Sequence, residues 1–164
     1  MIMNLLLELD KILKERKLTL SIAESCTGGN IAAQITSISG CSAYFLGSVT
    51  SYSNSVKETV LGVPRIIIEE FGAVSSECVG KMAEGVRKIT GSDFSIATSG
   101  IAGPNGDTSN KPVGLVWIGF ASEIGTQTFC FNFSGDRVEN IQSFTQVAIK
   151  TLLSLIQCEL KTRI

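Results

Sequence analysis

Apolar and polar positions alternate along this chain at two different periods, and the switches between them lay out its elements. Over residues 3–16, Leu5, Leu6, Leu9, Ile12 and Leu13 share one face at helical spacing. A β-prone apolar run over 18–24 follows and ends in Ser25-Cys26-Thr27-Gly28-Gly29. Ile31, Ile35 and Ile38 then predict a helix over about 28–38, closed by Gly40 where a left-handed cap would sit. Residues 44–52 read as a second strand. Ser55 and Glu58 have the spacing of a capping box, which predicts a short helix carrying Lys57. Gly62-Val63-Pro64 breaks it, and Pro64 suits the first position of another short helix that Gly72 ends.

Ser75 is the predicted cap of a longer helix whose buried stripe is Val79, Met82, Ala83, Val86 and Ile89, with Gly91 as its stop. A third strand over 93–98 runs into a loop at 99–106 that is too rich in Gly and Pro to be regular. Residues 113–122 and 126–133 predict two strands joined by Glu123-Ile124-Gly125. A last helix begins near Asp136, with Glu139 three residues on, and buries Val138, Ile141, Phe144, Ala148, Leu152 and Leu155. No repeat, linker or low-complexity stretch interrupts this order, so residues 1–164 read as one domain.

Strands that alternate with helices predict an α/β layered fold with the first three strands parallel. A loop without a helix joins strands three and four, so the fourth is antiparallel, and the hairpin returns the fifth to the direction of the first three. The carboxyl ends of strands one, two, three and five therefore share one edge, where ligands bind in open α/β sheets. Ser25 to Gly29, Tyr52-Ser53-Asn54, Thr98-Ser99-Gly100 and the stretch from Phe133 to Arg137 all fall there.

Composition narrows the chemistry. Hydrophobic residues make up 44 % of the chain and charged ones 18 %, which suits a sheet covered on both faces. The net charge is −1 and no run of Lys or Arg occurs, so nucleic acid is not an expected partner. No apolar run is long enough to span a membrane. The N-terminal stretch carries Glu8 and Asp10 and reads as an amphipathic helix, not a signal peptide. Five scattered cysteines without a C-x-x-C pair then read as reduced thiols of a cytoplasmic protein. There is no histidine, which excludes a Ser-His-Asp triad, a Cys-His pair and nearly every common catalytic zinc site.

A serine can still be activated by a lysine whose pKa is lowered by burial, and Ser25 with Lys57 is the natural pair. Tyr52 could relay a proton beside them or simply pack at the strand end. The amides of Gly28-Gly29 and of Ser99-Gly100 could hold an oxyanion or a phosphate, with Thr27 and Asn54 on the same edge. Arg137 could clamp a phosphate or carboxylate, or be a surface arginine. The small residues after the first strand could equally be ordinary helix caps. The loop at 100–106 is followed by Asp107 where a P-loop needs Lys, and the first turn lacks G-x-G-x-x-G. Glu24 and Asp107 are single carboxylates without a visible partner, which gives little support to a paired-carboxylate or Mg²⁺ site.

Seven motifs in order carry a resemblance. They are 23–29 (Ala-Glu-Ser-Cys-Thr-Gly-Gly), Tyr52-Ser53-Asn54 with Lys57, Leu61-Gly62-Val63, Gly72-Ala73-Val74-Ser75, 98–104, Lys111-Pro112-Val113-Gly114 with Val116-Trp117, and 133–137. In these the chain resembles the CinA C-terminal-domain family, the nicotinamide-nucleotide amidases, over about residues 5–157. The resemblance implies a three-layer α/β/α fold with a mixed, mostly parallel five-stranded sheet containing one antiparallel strand. It implies a deamidase that converts nicotinamide mononucleotide to nicotinate mononucleotide and ammonia, without metal or organic cofactor, as a homodimer or higher homo-oligomer. Ser25 resembles the family's nucleophile and Lys57 its base, while Tyr52 and Arg137 resemble catalytic or substrate-contacting residues. Ser99 stands where the family usually has Thr, which keeps the hydroxyl. Many members carry a further N-terminal domain, and this chain resembles the stand-alone form. The other classes in view are a regulatory module that binds a nucleotide without turning it over, and a competence or DNA-damage partner.

Overall fold

A computed structural model of the chain describes residues 2–162. Its elements, in chain order, begin with α1 (Ile2–Arg16), β1 (Leu20–Glu24) and α2 (Asn30–Thr36). A 3-10 turn (Cys41–Ala43) leads to β2 (Phe45–Thr50), α3 (Asn54–Thr59), α4 (Arg65–Phe71) and α5 (Ser76–Thr90). β3 (Phe94–Gly100), β4 (Leu115–Ala121), β5 (Thr126–Asn132) and α6 (Arg137–Thr162) complete it.

The sheet order is β2-β1-β3-β4-β5. β1 pairs parallel with both β2 and β3, and β4 pairs antiparallel with both β3 and β5. β4 is thus the one reversed strand, and the carboxyl ends of the other four emerge together. Helices cover both faces, giving three layers. On one face Leu6, Leu9 and Leu13 of α1, Ile31 and Ile35 of α2, and Phe144, Ile149 and Leu152 of α6 pack against Ile22, Ile96 and Ile118. On the other, Val79, Met82, Ala83 and Val86 of α5 pack against Ala23, Ala97 and Ala121, with Leu61 and Val63 closing the end. All five residues of β1 are buried, so the strand that delivers Ser25 is fixed from both sides.

Local chemistry moved some boundaries. α2 starts at Asn30 and not at 28, because Gly28 and Gly29 hold φ of 62° and 103°, outside the helical region. Ser53, not Ser55, caps α3: its oxygen accepts from the Val56 amide, while Ser55 pairs with the Ser53 hydroxyl. Pro64 is the extended cap of α4 and not its first helical residue. Ile89 and Val138, expected inside, are 54 % and 62 % exposed, since each sits at the margin of its helix's apolar stripe. The expected cap at Ser75 and the expected start at Asp136 are both present. Ser75 Oγ accepts from the Cys78 amide, and Asp136 and Glu139 form a reciprocal capping box.

Candidate active site

The turn after β1 is built around a carboxylate that makes no ion pair among the described residues. Glu24 is fully buried at the end of the strand. One of its oxygens accepts from the amides of Gly29 and Ile31 at 3.0 and 3.1 Å, and the other from Ala32 at 2.9 Å. The orphan donors of the first turn of α2 are therefore satisfied from within the protein. Gly28 donates its own amide to the Ser25 carbonyl, 3.1 Å away. Thr27 is buried, with its hydroxyl 2.8 Å from that of Thr98. Thr27, Gly28 and Gly29, expected at the substrate, build the turn and are not among the residues that line the cleft beside it. A glycine-rich helix start reads as an anion site only until an internal anion fills it.

The cleft itself, about 260 Å³, opens on the carboxyl edge of the sheet. Ser25, Cys26 and Lys57 form its floor, Tyr52 and Asn54 one wall, Ser99, Gly100 and Gly103 the other, with Arg137 at the rim. Seven of the ten residues singled out in the sequence meet here: Ser25, Lys57, Tyr52, Asn54, Ser99, Gly100 and Arg137.

Lys57 reaches the floor because α3 begins directly after β2 and folds back over the strand end. Its side chain is 1 % exposed, an unusual state for an unpaired lysine. Nζ lies 3.0 Å from Ser25 Oγ, 2.7 Å from the Ser51 carbonyl and 3.4 Å from the Tyr52 carbonyl. No carboxylate is within ion-pair distance of it among the described residues. Loss of hydration disfavours the ammonium, and the pKa falls from the ordinary 10.5. A neutral amine has two N–H groups and one lone pair. In that neutral form, with the two carbonyls taking N–H groups, the lone pair would face the serine hydroxyl.

The neighbouring thiol is not a competing nucleophile. Burial pushes the pKa of Cys26 up to about 12, so it stays protonated and inert. The Gly100 amide is placed differently from that of Gly28. Ser25 donates to the Thr98 carbonyl at 3.0 Å, and Ile101 donates to the Leu115 carbonyl at 2.8 Å. Strand alternation between those two bonds turns the Gly100 N–H toward the β1 side, at the level of Ser25. A side chain there is excluded, since a Cβ on Gly100 would lie 2.5 Å from the Leu115 carbonyl oxygen. Ser99 is 1 % exposed and donates its hydroxyl to the Ala73 carbonyl at 2.7 Å. Its proton is thus used within the wall of the cleft.

Arg137 bridges the rim. One guanidinium nitrogen donates to the Gly103 carbonyl at 2.7 Å and another to the Tyr52 hydroxyl at 3.0 Å. Beneath it, Asn140 is fully buried. Its amide nitrogen donates to the carbonyls of Ala102 and Gly135, and its oxygen accepts from the Gly135 amide. This ties the loop after β3 to the start of α6. The sequence reading set Glu24 aside as a carboxylate without a visible partner, and it missed Asn140. Asn140 had a signal: it lies one turn before Phe144, on the buried face, where an amide needs partners. Among the described residues no group of three His, Cys, Asp or Glu side chains is placed to hold a metal.

Fold and site together define a three-layer α/β domain with a serine and a buried lysine in hydrogen-bond contact at the carboxyl edge of its sheet. The family model of the CinA C-terminal domain matches residues 3–156, and the chain belongs to that family. It is 51 % identical over 150 residues to a CinA-like protein of Endomicrobium trichonymphae, covering 92 % of this chain and 34 % of that one. It is 46 % identical over 155 residues to a putative competence-damage inducible protein of Halothermothrix orenii, covering 94 % of this chain and 38 % of the relative. The chain therefore spans a little over a third of the length of these relatives. Among solved structures, the competence/damage inducible protein CihA of Agrobacterium tumefaciens aligns with a TM-score of 0.91 at 33 % identity, covering 94 % of both chains. The competence damage-inducible protein A (ComA) of Klebsiella pneumoniae aligns with a TM-score of 0.88 at 32 % identity, covering 98 % of this chain and 97 % of the other.

Proposed function

We propose that this protein is an amidohydrolase acting on the carboxamide of nicotinamide mononucleotide, with Ser25 as nucleophile and Lys57 as general base. The observation that carries the reading is the buried Lys57 amine, without a carboxylate counter-ion among the described residues, 3.0 Å from Ser25 Oγ on the floor of a cleft. Family membership and the resemblance of the motifs supply the substrate.

In the first step Ser25 Oγ attacks the carboxamide carbon as its proton passes to Lys57 Nζ. The Gly100 N–H faces the oxygen that gains charge. When the tetrahedral adduct collapses, Lys57 returns the proton to the leaving nitrogen, and ammonia departs. Water then attacks the Ser25 ester, losing its proton to Lys57, and the carboxylate product leaves with Ser25 restored. Arg137, exposed at the rim, is the cation available to the 5′-phosphate, and Asn54 and Tyr52 flank it. The protein acts in the cytoplasm, as a homodimer or higher homo-oligomer, in pyridine nucleotide salvage. No helix among the described residues is long and apolar enough to cross a membrane.

Ammonia release from nicotinamide mononucleotide is the test, with Ser25→Ala and Lys57→Ala alongside. Release by the parent and at least a thousandfold loss in both variants is the expected result. Binding of the nucleotide without release would make this a non-catalytic nucleotide-binding module.

A further inference from the structure

Glu24 stands outside the chemistry above yet touches both halves of it. Its side chain, fully buried, accepts three amides from the stretch 29–32, immediately after the Ser25 turn. Its main-chain carbonyl accepts from the Ser51 amide at 2.8 Å and is 3.5 Å from the Ser51 hydroxyl. Ser51 in turn presents the carbonyl that takes Lys57 Nζ at 2.7 Å. One residue thus fixes the nucleophile's turn through its carboxylate and the base's acceptor through its backbone.

We propose that Glu24 is the positioning residue of the Ser25–Lys57 pair, an internal anion that locks the β1–α2 turn so that the two reacting atoms stay in hydrogen-bond contact. A helix start left open would hold this turn only through solvent, and Gly28 and Gly29, both at positive φ, would let it move. With the carboxylate in place, three charge-assisted bonds hold residues 29–32, directly after the turn that carries Ser25. The same carboxylate takes the amides of Gly29, Ile31 and Ala32, which are then not available to an anionic ligand group.

The inference rests on the Ser25–Lys57 reading, and the test separates the two. Glu24→Gln keeps the shape but replaces one acceptor oxygen with an NH₂ that faces amide donors. The rate at which a fluorophosphonate labels Ser25 is measured in the parent, in Glu24→Gln and in Ser21→Ala. Ser21 lies at the opposite end of β1, bonded to Ser92, and serves as a control for loss of stability alone. Labelling at least tenfold slower in Glu24→Gln, with Ser21→Ala at the parent rate, is expected. For ammonia release, kcat of Glu24→Gln should fall at least tenfold with KM within about twofold. Labelling of folded Glu24→Gln within twofold of the parent would overturn the proposal. If Glu24→Gln does not fold, Glu24→Asp keeps the charge but is too short to reach all three amides. Its labelling should be several-fold slow, and a parent-like rate would overturn the proposal equally. If the parent itself is neither labelled at Ser25 nor active, the nucleophile reading has failed. Crystal structures then decide for Glu24: a Ser25 Oγ–Lys57 Nζ separation grown past hydrogen-bond reach in Glu24→Gln supports it, and one unchanged at 3.0 Å contradicts it.

Discussion

Lys57 places a basic nitrogen where its charge is poorly tolerated. The folded protein releases the Lys57 proton at a lower pH than the unfolded chain does, since burial lowers the pKa from 10.5. The unfolded state therefore binds more protons between the two values, and stability rises with pH across that interval. Below it the full penalty for a buried ammonium is present. Lys57→Met removes the penalty, so its melting temperature relative to the parent should be more favourable at about pH 6 than at about pH 9. Thermal melts at the two pH values check this, and the variant should release no ammonia. Thr27 makes the complementary case. It was read as a substrate contact, but its hydroxyl is spent on Thr98 inside the protein. Thr27→Val should cost about 1–2 kcal/mol in denaturant melts, from a buried hydroxyl left unpaired, with KM within about twofold. The serine–lysine pair was legible because both residues had to lie on one sheet edge in a chain without histidine. Glu24 was not, because its partners are backbone amides, which leave no mark among side-chain types.

Two elements meet at the rim, and both depend on capping and turn chemistry more than on apolar burial. Asp136 and Glu139 start α6, which sets Arg137 as its first residue, and Asn140 binds that start to the loop after β3. Asn140→Ala leaves the Ala102 and Gly135 groups without their partner, a loss of about 2–3 kcal/mol. Because the Gly103 carbonyl and Arg137 both shift with that loop, KM should rise more than kcat falls, which steady-state kinetics will show. Gly114 explains why the loop ends where it does. It holds φ of 92°, and a Cβ there would collide with the Phe133 carbonyl, so β4 and the end of β5 can approach only through glycine. The element order and the strand directions could be read from the switch between periods of two and about 3.6. The cap positions could not be read as reliably. Ser53 and Ser55 are chemically equivalent, and only the angle at which the chain leaves β2 decides which oxygen meets the Val56 amide.

At the scale of the molecule, one reversed strand organises the site. β4 runs against its neighbours, so β5 delivers its carboxyl end, and with it Arg137, to the edge that already holds Ser25, Lys57 and Gly100. The three layers were expected from the resemblance, and the shared edge from strand alternation alone. What the sequence could not show is the distance from amine to hydroxyl, or that no carboxylate among the described residues lies within ion-pair distance of the lysine. The account stands on a lysine whose pKa burial lowers. A carbon-13 NMR titration of the lysine ε-carbons, with Lys57 assigned by its absence from Lys57→Met, measures the relevant property directly. The expected result is a single resonance titrating clearly below the other lysines, with ammonia release rising through the same midpoint as pH increases. A Lys57 resonance that titrates at the ordinary lysine value of 10.5 would contradict the assignment of Lys57 as the base.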